Sequence, residues 1–193
     1  MSKIFKIIFC FALLATAAFA QSSQEWQLSP KSSQVNFLIQ STLHQVHGQA
    51  REVFGSFEQD QNLIKGFVDV GVLGLTTNDK ARDNNMYQMF NASQYAQIHF
   101  SFKNTDLARV IEQGDGPIVF LGNMTMHGIT KPATILTNSR MDKSTLVCEG
   151  RLLINLKDYD LKPPSVLGII RVKDEVLVEF RLVFSKNGNP NAS

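Results

Sequence analysis

Polar and apolar residues alternate along most of this 193-residue chain, the period-two spacing of strands that bury one face. Val35, Phe37 and Ile39 share one side of Ser33–Gln40, with Gln34, Asn36 and Gln40 as polar neighbours. Ser29-Pro30 separates that run from a shorter one, Glu25–Leu28. Further extended runs are predicted at about Leu43–Arg51, Gly55–Gln59, Ile64–Leu75, Gln97–Asn104, Leu107–Glu112, Pro117–Met126, Pro132–Met141, Thr145–Leu156 and Lys173–Lys186. Asp60-Gln61-Asn62 and Gly114-Asp115-Gly116 carry turn chemistry. Gly122–Met126 alternates, His127-Gly128 turns the chain and Lys131-Pro132 begins the next strand, which reads as a hairpin. Glycines at 66, 71 and 74 inside an extended run mark bulges or bends that curl a sheet. One segment departs from this pattern. Thr76-Thr77-Asn78-Asp79 offers helix-capping side chains, and Met86, Met89 and Phe90 then fall at i, i+3 and i+4. That spacing predicts one helix over Asp79–Asn91. Many short strands at steady spacing, with no internal repeat or linker, predict a single sandwich or barrel.

The N-terminus has the form of an export signal. Lys3 and Lys6 precede the apolar stretch Ile7–Leu14, and Ala18-Phe19-Ala20 is a small-x-small cleavage pattern. Cleavage after Ala20 is expected, leaving residues 21–193 as one soluble, exported domain. The chain carries 19 Lys and Arg against 17 Asp and Glu. Loss of Lys3 and Lys6 brings the remainder to balance. Without concentrated positive charge, nucleic acid is excluded as a partner. Cys10 leaves with the signal, so Cys148 stands alone and an internal disulfide is excluded. Cys148 alternates in step with Leu146, Gly150, Leu152 and Ile154, which reads as a buried packing thiol rather than a nucleophile.

Chemistry-bearing motifs are sparse. The chain has no GxSxG elbow, P-loop, GxGxxG fingerprint, HExxH or CxxC. His44 and His47 are three apart and, in a strand, point to opposite faces, so they make poor joint metal ligands. His99 is expected to face solvent, and His127 to satisfy backbone groups within its turn. Arg82 and Asp83 follow the helix cap. They read as helix-start electrostatics, with a polar rim at a ligand mouth as the alternative. Lys131 and Lys162 read as solvated surface lysines. Asn91, Asn123 and Asn191 lie in glycosylation sequons that matter only in a eukaryotic secretory route. No metal, cofactor or catalytic residue is implied, and an exported all-β chain of this kind reads as a ligand holder rather than an enzyme.

Several segments in order resemble the YceI-like family of lipid- and polyisoprenoid-binding proteins. They are Trp26 with Ser33, Val35 and Phe37; Leu43-His44 with Val46-His47-Gly48; Gly55; Leu75-Thr76-Thr77 with Arg82-Asp83 and Met86; QIHFSF at 97–102; Gly122–Pro132; and Asp158-Tyr159-Asp160 with Pro164-Ser165-Val166, Val172 and Asp174-Glu175-Val176. Ala96 and Tyr159 depart mildly from the family pattern. The resemblance implies an antiparallel, lipocalin-like barrel of about eight strands with one short helix at its side. It also implies an apolar channel holding an isoprenoid, a quinone or another long-chain lipid. The candidate lining is Phe37, Ile39, Phe57, Phe67, Met86, Met89, Phe90, Phe100, Phe120, Met124, Met126, Leu152, Ile154, Phe180 and Leu182. Transient membrane contact and a homodimer are compatible with such a carrier. An envelope hydrolase or isomerase using the barrel pocket, or a stress-response scaffold without ligand, are the alternatives.

Overall fold

The structure, a computed structural model, describes residues 23–41, 45–163 and 172–186. The expected signal segment, His44, the Pro164-Ser165-Val166 motif and Asn191 lie outside them. Among the described residues, eleven strands form one antiparallel sheet: β1 Gln24–Leu28, β2 Gln34–Ser41, β3 Gln45–Ala50, β4 Val53–Asp60, β5 Leu63–Gly71, β6 Leu75–Thr76, β7 Gln97–Asp106, β8 Asp115–Met126, β9 Ile129–Met141, β10 Thr145–Asn155 and β11 Val172–Lys186. Neighbours run β1-β4-β5-β7-β8-β9-β10-β11, and β11 returns to β1. That ring is a closed eight-stranded barrel. Closure leaves no sheet edge round the ring.

The remaining three strands extend walls already present. The long β11 holds β1 through Phe184–Lys186 and β2 through Val172–Arg181, so β1 and β2 follow one another along the same edge. In the same way β3 continues β4, and β6 continues β5 after the 3-10 turn Val72–Gly74. The run predicted over Ile64–Leu75 therefore bends at the glycines. Arg51 N–H donates to Gly74 O and Gly71 N–H to Glu52 O, which fixes the bend. The register also shifts between Ile64 and Gly66, the site of a bulge.

Helix α1, Lys80–Met89, occupies the predicted position, with Asp79 as its cap. A second helix, α2 Ala108–Gln113, replaces the strand predicted over Leu107–Glu112. Only six residues long, it has just one strongly buried position, Val110, so the mixed apolar content of this stretch does not display a helical period. Gly114 (φ 81°) is its left-handed C-terminal cap rather than part of a hairpin, and Asp115-Gly116 already belongs to β8. The β8–β9 hairpin has the expected two-residue turn, with His127 at φ 51° and Gly128 at φ 77°, as a type I′ turn requires. β9 begins at Ile129, three residues before the run predicted from Pro132.

The two ends of the barrel differ. Between β7 and β8, α2 closes one end over Trp26, Phe57, Leu107, Val110, Ile118 and Leu146, each no more than 2% exposed. Trp26 stacks on Phe57 at 5.3 Å, Phe184 meets Phe57 edge-on at 5.1 Å, and Trp26 Nε1–H donates to Gln59 Oε1 at 2.9 Å. This is a packed floor. At the other end, α1 lies across the mouth between β6 and β7.

Candidate functional site

Between floor and mouth the barrel is hollow. The cavity has a volume of about 180 Å³ and an apolar wall. On β11 its lining extends from Val176 to Phe184.

Strand parity decides which side chains reach it. Phe37 and Ile39 come from β2, Phe100 from β7, Phe120, Met124 and Met126 from β8, Leu152 and Ile154 from β10, and Phe180 and Leu182 from β11. The helical stripe Met86, Met89 and Phe90 closes the mouth end. Two predicted residues lie elsewhere. Phe57 points inward but is sealed into the floor between Trp26 and Phe184. Phe67 lies on the outer face, 36% exposed, because its neighbours Val68 and Val70 take the inward positions of β5. It stacks on His99 at 5.9 Å. The wall also includes residues that the candidate lining omitted, among them Val35, Val176, Val178, Ile135 and Cys148. Their alternation with Phe37, Phe180 and Leu152 was the available signal.

The void exists because several rings lie flat on the wall instead of meeting at the axis. Phe37 pairs across the ladder with Gly48, and Phe180 with Gly150. A Cβ added to Gly48 would overlap the Phe37 ring, and one added to Gly150 would come within 2.7 Å of Phe180 Cζ. The Phe100 ring occupies the matching space beside Gly122. Each glycine thus admits a ring against the backbone, and the centre of the barrel stays open.

Polar groups near the cavity are engaged with one another. Thr137 Oγ1 donates to Ile118 O at 3.2 Å and lies 2.9 Å from Ser139 Oγ. Burial pushes the Cys148 thiol up to about 11, against a smaller opposing effect of its hydrogen bond with Ser139. A thiol held that far above its usual range is neutral near pH 7, the reverse of an activated nucleophile.

Asp83 anchors α1. It is buried and accepts hydrogen bonds from Thr76 Oγ1 (2.7 Å), Thr77 N–H (2.7 Å) and Thr77 Oγ1 (2.6 Å). Burial alone would raise its pKa, but the Thr77 and Thr76 bonds, with Arg82 nearby, bring it below the ordinary 3.8. A depressed carboxylate stabilises the fold above its unfolded-state value, and that contribution is lost as pH falls through the folded-state value. Acid denaturation below about pH 4 is therefore expected to be shallower in Asp83→Asn than in the parent, with the variant already less stable at pH 7. Urea melts at pH 7 and pH 3 check this; parallel pH profiles would remove Asp83 from the account. Arg82 pairs with Asp79 at 3.7 Å on the surface, not with a cavity group.

The other polar candidates also have local partners. His99 Nδ1 lies 2.6 Å from Asp69 Oδ1 on the outer face. His127 Nδ1–H donates to Tyr159 O at 3.1 Å, tying the β8–β9 turn to the 3-10 turn Leu156–Tyr159, a more distant backbone partner than its own turn would supply. His47 is exposed on β3. Lys131 pairs with Asp158 and Lys162 with Asp160, all four exposed.

Known proteins share this fold. The model of the YceI-like domain matches residues 26–184. The chain belongs to the YceI-like family. A UPF0312 protein of Vibrio vulnificus is 27% identical over 132 residues, covering 64% of this chain and 67% of that protein. A UPF0312 protein of Vibrio parahaemolyticus is 30% identical over 95 residues, about half of each chain (47% and 48%). Among solved structures, a polyisoprenoid-binding domain from Saccharophagus degradans, implicated in plant cell wall breakdown, superposes with a TM-score of 0.71 at 18% identity, covering 83% of this chain and 98% of that one. Burkholderia cenocepacia BcnA gives 0.67 at 17% identity, covering 81% and 98%. At these identities the likeness is one of fold.

Proposed function

We propose that this YceI-like protein is a periplasmic binding or carrier protein for a long-chain apolar molecule: a polyisoprenoid, a quinone or a similar amphiphile. The observation that carries the reading is the cavity inside the barrel, whose wall is apolar throughout. The signal-like N-terminus supports export, and the polyisoprenoid-binding domain of Saccharophagus degradans supports the ligand class. The outer face bears Glu149, Arg151, Glu179 and Arg181 on adjacent strands, the inverse of a barrel that spans a bilayer. Among the described residues, Thr137 and Cys148 are, apart from the methionines, the lining residues with a side-chain heteroatom. That favours holding a ligand over transforming one.

Energetics suit a carrier. Each buried methylene contributes about 0.8 kcal/mol relative to water, and a bilayer offers the tail nearly the same gain. Transfer between membrane and barrel is then close to neutral, so loading and release are both accessible. A typical ligand pocket is roughly 300–1,000 Å³, larger than this void. A long tail therefore seats by displacing Met86, Met89, Met124 and Met126, whose unbranched thioethers repack readily.

Organic extraction of protein purified from a bacterial envelope is expected to release an apolar molecule identifiable by mass spectrometry. Protein that is always empty and takes up no offered prenyl lipid would overturn the reading. The glycine–ring packing gives a second test. Gly48→Ala is expected to swing the Phe37 ring into the lumen and weaken polyprenol binding about tenfold or more, with a melting temperature within a few degrees of the parent, since the overlapping atoms are the end of one side chain. Equal affinity in a binding titration would show that the Phe37 side of the wall does not define the lumen.

A further inference from the structure

The β9–β10 ladder is incomplete. It runs from Met141↔Leu146 to Thr137↔Gly150 and stops. Among the described residues, Ile129–Leu136 beyond that point pairs with β8 alone and Arg151–Asn155 with β11 alone, and the 3-10 turn Leu156–Tyr159 bridges the mouth end of the gap through Asp158 to Lys131 and Tyr159 O to His127. Two strand segments thus form facing banks of a seam in the barrel wall, on the order of 16 Å long on the β10 side. Pro132 lies in the unpaired bank and has no N–H to donate, as befits an edge. Of the interior side chains bordering the seam, Ala133, Leu152 and Ile154 are partly exposed and Ile135 is buried. Those of the paired half, Thr137, Ser139, Leu146 and Cys148, are buried. Ile135 on one bank and Leu152 and Ile154 on the other line the cavity, so the seam borders the lumen directly.

The outer surface around this seam is mixed: Thr130, Thr134, Arg151 and Asn155 are exposed on its banks, with a cluster of aliphatic side chains among them. Leu136 (59% exposed) and Leu153 (60%) stand on opposite banks, and Leu121 (61%) and Val119 (48%) flank Leu136 on β8. Scattered exposed leucines are ordinary; here they gather beside an unpaired seam that communicates with an apolar cavity. The floor at one end of the barrel is packed, and threading an apolar tail end-on would draw it through water. A lengthwise opening lets the chain slide sideways while the rest of it stays in hydrocarbon. The reservoir of such chains is a bilayer, and an aliphatic rim is the surface that seats on one.

We propose that the β9–β10 seam is a side door through which an apolar chain passes between a lipid bilayer and the cavity, with Leu121, Leu136 and Leu153 seating the door on the membrane. The inference rests on the lipid-binding reading and names its route. The test uses phosphatidylcholine vesicles carrying a tritiated C20 polyprenol, with transfer to protein measured after the vesicles are sedimented. The double variant Leu136→Cys/Leu153→Cys is bridged across the seam with a reductant-cleavable bis-maleimide; the buried Cys148 is checked by mass to be unmodified. Bridging is expected to slow uptake at least tenfold, and cleavage to restore it, which separates a closed door from a damaged fold. The same reagent across the paired β8–β9 ladder away from the seat, in Pro117→Cys/Asn138→Cys, is expected to leave the rate unchanged. Bridged protein that loads as fast as unbridged would overturn the door while leaving the ligand reading intact. Unbridged protein that takes up no polyprenol would overturn the ligand reading, and the door with it. The triple variant Leu121→Gln/Leu136→Gln/Leu153→Gln is expected to load at least tenfold more slowly from vesicles and at the parent rate from detergent micelles. Equal vesicle rates would overturn the membrane seat.

Discussion

Phe180→Asp is expected to lower the affinity for a C20 polyprenol at least a hundredfold at pH 8. The Phe180 ring lies against Gly150 in a stretch of wall whose neighbours are Val178, Leu182 and Leu152. An aspartate there either remains ionised and draws water into the lumen, or is driven neutral by its surroundings. A neutral polar group without a partner costs about 1–3 kcal/mol in protein interiors, and an ionised one more. Roughly 3 kcal/mol corresponds to about two orders of magnitude in Kd. The sign of the pH dependence follows. Burial raises a carboxyl pKa, so acidification toward pH 5 neutralises the introduced carboxylate and recovers part of the affinity, whereas the parent is unaffected over that range. Phe180→Leu keeps an apolar wall and is expected to bind within a few fold of the parent. Equilibrium titration of the three proteins at pH 8 and pH 5 measures this. Phe180→Asp binding as tightly as the parent at pH 8 would place residue 180 outside the occupied channel.

How much of this site was legible beforehand varied with the element. Where one face is buried and the other wet, alternation assigned the inward residues correctly, as in β2 with Val35, Phe37 and Ile39. The α1 stripe Met86, Met89 and Phe90 was equally clear, because its four preceding residues advertise a cap. β5 was ambiguous. Phe67, Val68 and Val70 are apolar on both faces, so period alone does not say which set points inward, and the large aromatic was the wrong choice. α2 was misread for a related reason: six residues give less than two helical turns, too few for a 3.6 period to stand out. Phe57 shows a different limit. Its inward parity was right, but whether an inward residue lines a hollow or seals a floor depends on which strands meet at that level, and Trp26 and Phe184 come from opposite ends of the chain. The seam was invisible in sequence, since β9 and β10 both alternate throughout and only the ladder shows where pairing stops.

The largest stability effect is expected at that floor. Trp26 is fully buried, stacks on Phe57, donates its indole N–H to Gln59 and lies 5.1 Å beneath the Lys186 ammonium. It joins β1 to β4 and to the end of β11, the contacts through which the barrel closes. Trp26→Ala removes this packing and leaves a cavity that neighbouring rings fill only in part. The expected loss is about 3–5 kcal/mol, equivalent to a melting temperature lower by roughly 10–15 °C for a domain of this size. Trp26→Phe restores a stacked ring without the indole donor, and leaves Gln59 Oε1 with one partner fewer in a part-buried position. Its expected loss is smaller, about 1–2 kcal/mol. Because Trp26 is the sole tryptophan, urea unfolding of both variants is followed by far-ultraviolet circular dichroism rather than fluorescence. Trp26 and Phe57 lie beneath Phe184, outside the lined part of the cavity, so folded Trp26→Ala is expected to load polyprenol at the parent stoichiometry below its melting transition. A loss under about 1 kcal/mol would mean that the barrel closes without this plug. Parent stability with abolished loading would place Trp26 on the ligand instead.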